Sequence, residues 1–402
     1  MPLNDVDQIK WGDGSNSSVG PQIRTDYHHK KVLIEAQKEQ YFGQLADVTH
    51  MPKHFGKTIK LYHFLPLLDD RNVNDQGIDA AGATIADGNI YGSSKDIGNI
   101  ISKLPVLSET GGRVNRVGYS RQVIQAQLED LGFFHEFTKE SLDFDTMDDL
   151  YGYLSRELVM GANEITEDVL QIDLLNGAGL VRYGGVATQD SEVTGEGSDK
   201  SIIDYEDLQK MSIDLQNNRT PKKTRIITGS RLNDTKTLNA GYVLYAGSEL
   251  IPTFTKMTDH FGNAAFVPVE QYAYSGTHKT GVNFIHGEIG KVGDFRIVIV
   301  PEMAHWAGVG ADVVANEGYR ATDGKYDVYP MLVIGAESFT TIGFQTDGKS
   351  VKFKIMTRMP GEATMDKTDP YGRTGMSSIQ WYYATMILRP ERIALAKTVA
   401  EI

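Results

Sequence analysis

Eight apolar residues, Leu150, Leu154, Leu158, Ala162, Ile165, Val169, Ile172 and Leu175, follow one another at steps of three or four. That spacing keeps them on one side of an α-helix. Glu157, Glu164, Glu167 and Asp168 take the other faces. Asp145 stands as a candidate N-cap, with Asp148 three residues on as an imperfect capping box. Asn176-Gly177 supplies the stop. The pattern predicts a helix over 146–176, about 46 Å long at 1.5 Å per residue. A helix of that length crosses a whole domain, so it sets the axis on which the rest of the fold must pack.

Before it, residues 1–56 read as a polar arm, with loose helical spacing only over 30–45. Residues 58–65 alternate Ile59, Leu61, His63 and Leu65 on one side, as a strand does. Residues 67–112 then repeat Asp, Asn, Gly and Ser without any period. Unstructured loops longer than about fifteen residues are uncommon in compact domains, and are functional or disordered when they occur. Extended character resumes over 113–137, so a long excursion leaves one strand and returns on another.

After the long helix, residues 183–203 form a Gly, Ser and acid-rich loop. A shorter helix is expected over 203–215 and a strand over 224–228. The stretch to about residue 334 is mixed α and β, and FRIVIV, residues 295–300, is its best strand. The last seventy residues read as sheet. Val351, Phe353, Ile355, Thr357 and Met359 share one face, which predicts a half-exposed strand. DPYG, residues 369–372, has the composition of a type I turn. Residues 379–388 carry apolar side chains on both faces, which predicts a strand covered on both. Arg389-Pro390-Glu391 then predicts the start of a last helix, since Pro and Glu are both favourable in a first turn.

The chemistry available to the chain is narrow. It has no cysteine, which removes disulfides, thiolate catalysis and Cys-ligated metals. His50 and His54 are four apart as in zinc helices, but no Glu lies between them and Pro52 spoils the helix. Asp143, Asp145, Asp148 and Asp149 lack the Gly and Glu of a calcium loop, and helix capping accounts for them. The Gly-rich stretches from Gly88, Gly177 and Thr194 lack the Lys that follows the second Gly of a phosphate loop. No Gly-x-Ser-x-Gly elbow occurs. His135, His260, His278, His286 and His305 are scattered, as structural histidines are. Trp381, Tyr382 and Tyr383 could stack on bases, but on an alternating strand of an acidic chain they fit a core or interface better. The expectation is therefore no enzyme, no cofactor and no metal.

Net charge is −13. The first sixty residues hold 8 Lys+Arg against 7 Asp+Glu, and the remainder 32 against 46, so nearly all the acidity sits in the body. Such a body is soluble and repels anionic polymers, unlike a reader of nucleic acid. No apolar run is long enough to cross a membrane, and the N-terminus has no apolar core of a secretory signal, so a cytosolic origin is expected. A large arm and a large loop are hard to reconcile with a monomer. Ordering them costs about 1–2 kcal/mol of backbone entropy per residue, and neighbouring subunits are the natural compensation.

Several stretches in order carry a resemblance: VGYSRQVIQ, LYGYLSREL, VEQYA, GEIGKVGDFRIVIVPEMAHWAGVGA, KYDVYPMLVIGAESFTTIGFQTDG, DPYGRTGMSSIQWYYA and RPERIA. From about residue 113 to the end the chain resembles the major capsid proteins of large podoviruses carrying a virion RNA polymerase (Schitoviridae). The resemblance implies an α+β fold of the Hong Kong ninety-seven type. Its parts would be an arm at 1–56, an extended loop at 57–125, and a peripheral domain at 126–203 with its spine helix at about 146–176. An axial domain would follow at 204–334, and a closing sheet at 335–402 would return to the peripheral domain. It also implies self-assembly through hexamers and pentamers into an icosahedral head around double-stranded DNA, built in the host cytoplasm. Portal, scaffolding and decoration proteins would be its partners, and no membrane. Another self-assembling subunit, of a tail or a surface layer, is the alternative. Arg113, Arg116 and Arg121 are expected either to meet acidic residues of a neighbour or to be solvated charge.

Overall fold

The computed structural model describes residues 41–51, 56–64, 121–144, 150–227, 235–274, 285–315, 318–344, 353–362, 365 and 367–402. The long helix is present as Leu150–Asn176, and it stops at the Asn-Gly pair as expected. Asp145 and Asp148, the expected capping residues, lie outside the described residues. The buried stripe differs from the expected one. Leu158, Ala162, Leu170, Leu174 and Leu175 are buried, whereas Ile165 and Ile172 are 41% and 51% exposed. The burying face follows steps of four, and Thr166 takes the place in that row between Ala162 and Leu170. Two isoleucines of the expected stripe are thereby turned outward.

An eight-stranded sheet fills the centre. Its path runs Leu180–Tyr183, Ile393–Thr398, Tyr329–Ile334, Thr235–Gly247, Phe295–Val300, Glu288–Val292 and Phe266–Pro268, with Lys223–Ile227 also paired to Thr235–Gly247. Val243, Tyr245, Val298, Val300, Leu332, Ile334, Ile393 and Leu395 face the long helix. Tyr242, Leu244, Ala246, Phe295, Ile297, Met331, Val333, Ala394 and Ala396 face the helix Tyr205–Asn217 and Phe254. Both faces are covered, which is why FRIVIV and YPMLVI read as unbroken apolar runs and not as alternation. Tyr205–Asn217 begins two residues later than expected, at a capping box formed by Asp204 and Asp207. A buried bidentate pair, Arg296 to Glu288 at 2.8 and 2.7 Å, ties two adjacent strands beside a register shift.

The helix expected after Arg389 does not form. Pro390–Arg392 is a single 3-10 turn, and Ile393–Thr398 is a strand buried along its whole length. The turn is pinned from three sides: Gly179 N donates to Pro390 O (2.9 Å), Gly335 N to Arg392 O (3.1 Å) and Asn218 Nδ2 to Glu391 O (2.8 Å). A helix would have set successive side chains about 100° apart round one cylinder, whereas a strand sends Ile393 and Ala394 to opposite covered faces of the sheet. The chain's last strand thus lies between Leu180–Tyr183 and Tyr329–Ile334, beside strands from 204–334.

A second, three-stranded sheet packs on the other part of the long helix. Thr374–Tyr383 is its centre, between Lys354–Arg358 and Glu129–Thr138. Ile379, Trp381 and Tyr383 are buried toward the helix, and Phe133 and Phe353 meet Trp381 edge to face. Two expectations are corrected here. Residues 379–388 are not one strand, because the chain breaks at Ala384 and Thr385–Ile387 joins Phe339–Phe344 and Asp47–Met51 in a third sheet. Lys354–Arg358 is exposed throughout and not half-buried, as an edge strand with the helix centred under its neighbour. The DPYG turn forms, with Gly372 N donating to Asp369 O at 3.2 Å.

Leu174 is fully buried between helix and sheet, and Ile172 points out. Leu174→Ala should therefore cost about 2–5 kcal/mol in chemical denaturation. Ile172→Ala should stay within about 0.5 kcal/mol of the parent.

Candidate assembly surface

Thr58–Phe64 pairs antiparallel with Arg121–Gln127 to form a two-stranded ribbon. Ile59, Leu61 and His63 lie opposite Ala126, Ile124 and Gln122, which places them on one face. That face rests on a small cluster of Leu128, Ile342, Ala384 and Met386 through Ile59, Ile124 and Ala126. The other face holds Tyr62 opposite Val123 and Phe64 opposite Arg121. Tyr62, Phe64 and Val123 are 54%, 56% and 46% exposed, so three large apolar side chains stand in water side by side. Arg121 lies over the Tyr62 ring at 4.2 Å from its centroid. Contiguous exposed apolar surface of this kind marks an interaction site.

A second open face lies on the three-stranded sheet. Phe134, Met356 and Met376 are all exposed there, on the side away from the long helix. Ile165 and Ile172 add outward apolar positions on the helix itself. Among the described residues no group of three or more His, Asp or Glu side chains could hold a metal ion. No helix among them is long and apolar enough to cross a membrane.

The expected site residues divide as follows. Arg113 and Arg116 lie outside the described residues, and Arg121 is on the ribbon with Tyr62 as its partner. His50 is in Asp47–Met51, and His54, His278 and the Gly88 stretch fall outside the described residues. The glycines of GAGLVRYGG are packing glycines. A Cβ on Gly179 would meet the Pro390 backbone at 2.6 Å, and one on Gly184 the Ser201 backbone at 2.6 Å. Gly195 likewise abuts the rings of Tyr319 and Tyr326. His260 bonds Gln209, His286 stacks on Tyr41, and His305 stacks on Tyr329. Trp381 is core and not a base-stacking platform.

Sequence reasoning missed the exposed ribbon face because it took Ile59, Leu61 and His63 as the apolar side and passed over the aromatics at 62 and 64. The signal was present: aromatic residues alternating with the side expected to be polar.

His63, on the inner ribbon face, has its imidazole pKa pushed down by burial and then by the Arg389 and Arg392 charges. The folded ribbon thus favours the neutral ring. Its contribution is complete above the ordinary histidine value of about 6.5 and is lost as pH falls below it. Hydrogen-exchange protection of the Ile59–His63 amides, corrected for intrinsic rates, should fall below about pH 6.5 in the parent and stay flat in His63→Gln.

No protein-family model matches the chain. The chain is 56% identical over 390 residues to the major capsid protein of Pseudomonas phage KPP21, covering 97% of this chain and 96% of that one. Its fold is similar to that of three solved structures at low identity. The capsid of Ralstonia phage GP4 matches with a TM-score of 0.55 at 10% identity, over 97% of this chain and 99% of that one. The head of Helicobacter pylori bacteriophage KHP40 gives 0.52 at 9% over 99% and 100%. The capsid of cyanophage P-SCSP1u gives 0.51 at 11% over 94% and 93%.

Proposed function

The chain belongs to the family of phage major capsid proteins, and from that membership we propose that its copies assemble through hexamers and pentamers into an icosahedral head enclosing the double-stranded DNA of a tailed bacteriophage. The observation that carries the reading is a relative matched at 56% identity over 97% of this chain. The outward ribbon face gives the reading a physical basis, because it leaves Tyr62, Phe64 and Val123 about half exposed side by side.

Shell formation needs no covalent chemistry, no cofactor and no metal. Obligate interfaces bury about 2,000–5,000 Å² or more. At about 25 cal/mol per Å² of apolar area the gross stabilisation is tens of kcal/mol, against an association cost of about 4–15. The net charge of −13 suits a container in which duplex must slide and not be gripped, so the lumen-facing lining is neutral or negative.

The finer assignment follows the resemblance to the Schitoviridae type and the Hong Kong ninety-seven fold. The arm is 1–56 and the extended loop 57–125, of which the ribbon is the described root. The peripheral domain is 126–203 with 335–402, and the axial domain is 204–334. The strand Ile393–Thr398, lying in the sheet of 204–334, supports a close join between the two domains. Arg113, Arg116 and Arg121 are inter-subunit contacts of the extended loop, Arg121 in addition to its stacking on Tyr62. Portal, scaffolding and decoration proteins are the other partners, and assembly takes place in the host cytoplasm.

Electron microscopy of the purified, concentrated protein tests the reading. Closed polyhedral shells are expected; tubes or flat sheets would favour a tail or surface-layer subunit, and a persistent monomer would reject assembly. Tyr62→Ser combined with Phe64→Ser should lower shell yield about tenfold or more, as loss of an interface hot spot does. The same pair should leave the unfolding free energy of the subunit within about 0.5 kcal/mol per site.

A further inference from the structure

Within the stretch 1–56 assigned to the arm, the first described residues are anchored in the core. Tyr41, Phe42, Leu45 and Ala46 are all buried, and Phe42–Leu45 forms a 3-10 turn. Such a turn starts with backbone N–H groups that have no partner within it. The residue at its N-cap, Tyr41, makes no side-chain cap hydrogen bond. The cap comes from 126 residues away in the chain. Glu167 Oε1 accepts from Tyr41 N at 2.6 Å, from Phe42 N at 2.5 Å and from Gly43 N at 3.4 Å.

Glu167 lies in the spine helix Leu150–Asn176, so one carboxylate joins residues 41–43 to the longest helix among the described residues. The carbonyl of the same first residue is also fixed, by the buried Tyr245 hydroxyl donating to Tyr41 O at 2.9 Å. Burial and the Glu167 charge hold the Tyr245 hydroxyl well above its ordinary pKa, which keeps it a donor. The Tyr41 ring stacks on His286 at 5.3 Å and 21°. It also lies against Gly287, where a Cβ would come within 2.7 Å of it and where φ is +77°. Tyr41 is therefore fixed at its N–H, its C=O and its ring together. A carboxylate accepting from backbone N–H groups makes charge-assisted bonds, roughly twice as strong as neutral ones.

We propose that Glu167 is a positioning residue for assembly: it clamps residues 41–43 to the spine helix and so fixes this stretch of backbone relative to the surfaces that meet a second copy of this chain.

This inference rests on the shell-forming reading, and its test separates the two. Glu167→Gln keeps the shape of the side chain and replaces the ionised acceptor by a neutral amide. In the full-length protein, hydrogen exchange at the Tyr41, Phe42 and Gly43 amides should rise at least tenfold, with no change in Phe295–Val300. Shell yield, followed by electron microscopy and native mass measurement, should fall at least tenfold at the same protein concentration. Unchanged exchange at 41–43 would overturn the clamp, and raised exchange with parental shell yield would overturn its role in assembly. A parent protein that forms no shells would instead reject the shell-forming reading. If Glu167→Gln loses its near-ultraviolet circular dichroism, Glu167→Asp carries the same test. It keeps the charge one methylene short, with intermediate exchange and intermediate yield expected and parental values for both overturning the proposal.

Discussion

The structure depends on a sheet that must be covered on both faces and that is completed by the end of the chain. Ile393–Thr398 pairs on one side with Leu180–Tyr183 and on the other with Tyr329–Ile334. Without it the two neighbours would each expose a row of unpaired backbone groups to an apolar environment, at a cost of about 1–3 kcal/mol for each buried unpaired group. Its side chains also bridge the layers. Ile393 and Leu395 belong to the core under the spine helix, and Ala394 and Ala396 to the core under Tyr205–Asn217. This late strand thus joins the two cores alongside Thr235–Gly247, Phe295–Val300 and Tyr329–Ile334. Contacts of such long sequence separation form slowly, because loop closure precedes the gain. A chain that stops before Ile393 leaves Leu180–Tyr183 without its partner in the central sheet.

What could be read from the sequence follows the range of the interactions involved. The spine helix was legible because its signal is local and long, and its stop at Asn176 needed only the next glycine. FRIVIV was legible because a β-branched run between turn residues admits few other conformations. IALAKT was not. Its composition suits a helix as well as a strand, and the gap that selects the strand is made by residues more than fifty positions away. The outward turn of Ile165 and Ile172 was equally hidden, since which side of a helix is buried is decided by what packs on it. On the ribbon both strand faces are apolar, and Leu128, Ile342 and Met386 beneath it decide which one faces water. The clamp at Glu167 left no local mark, because its donors lie 124 to 126 residues from the acceptor.

The glycine-rich stretches show how a motif can mislead when spacing is read without close packing. Gly177, Gly179 and Gly184 sit where another backbone or side chain passes within van der Waals contact. The small residue is required by the approach of Pro390, Ser201 and Ile387, and so by the same late segment that completes the sheet. Two buried cations of that segment have acidic partners: Lys397 reaches Asp190 at 2.6 Å, and Arg392 reaches Glu337 at 3.2 Å. Removing one partner of such a pair is costlier than never having had it, which makes the turn at Pro390–Arg392 intolerant of single changes.

The division of labour between body and ribbon bears on how a shell closes. Three side chains on the outer ribbon face, fully buried, stabilise a contact by roughly 1.5–3 kcal/mol each. That sum falls within the association cost of about 4–15 kcal/mol, so a ribbon contact alone does not hold two subunits together. The open face of the three-stranded sheet and the outward isoleucines of the spine helix are further small contributions of the same order. Each is insufficient singly. A subunit touching one neighbour therefore leaves again, and one seated among several stays, because the loss of translational and rotational freedom is incurred once while the contacts add. Several weak apolar patches thus favour arrays in which each subunit has many neighbours, and the net charge of −13 opposes non-specific association.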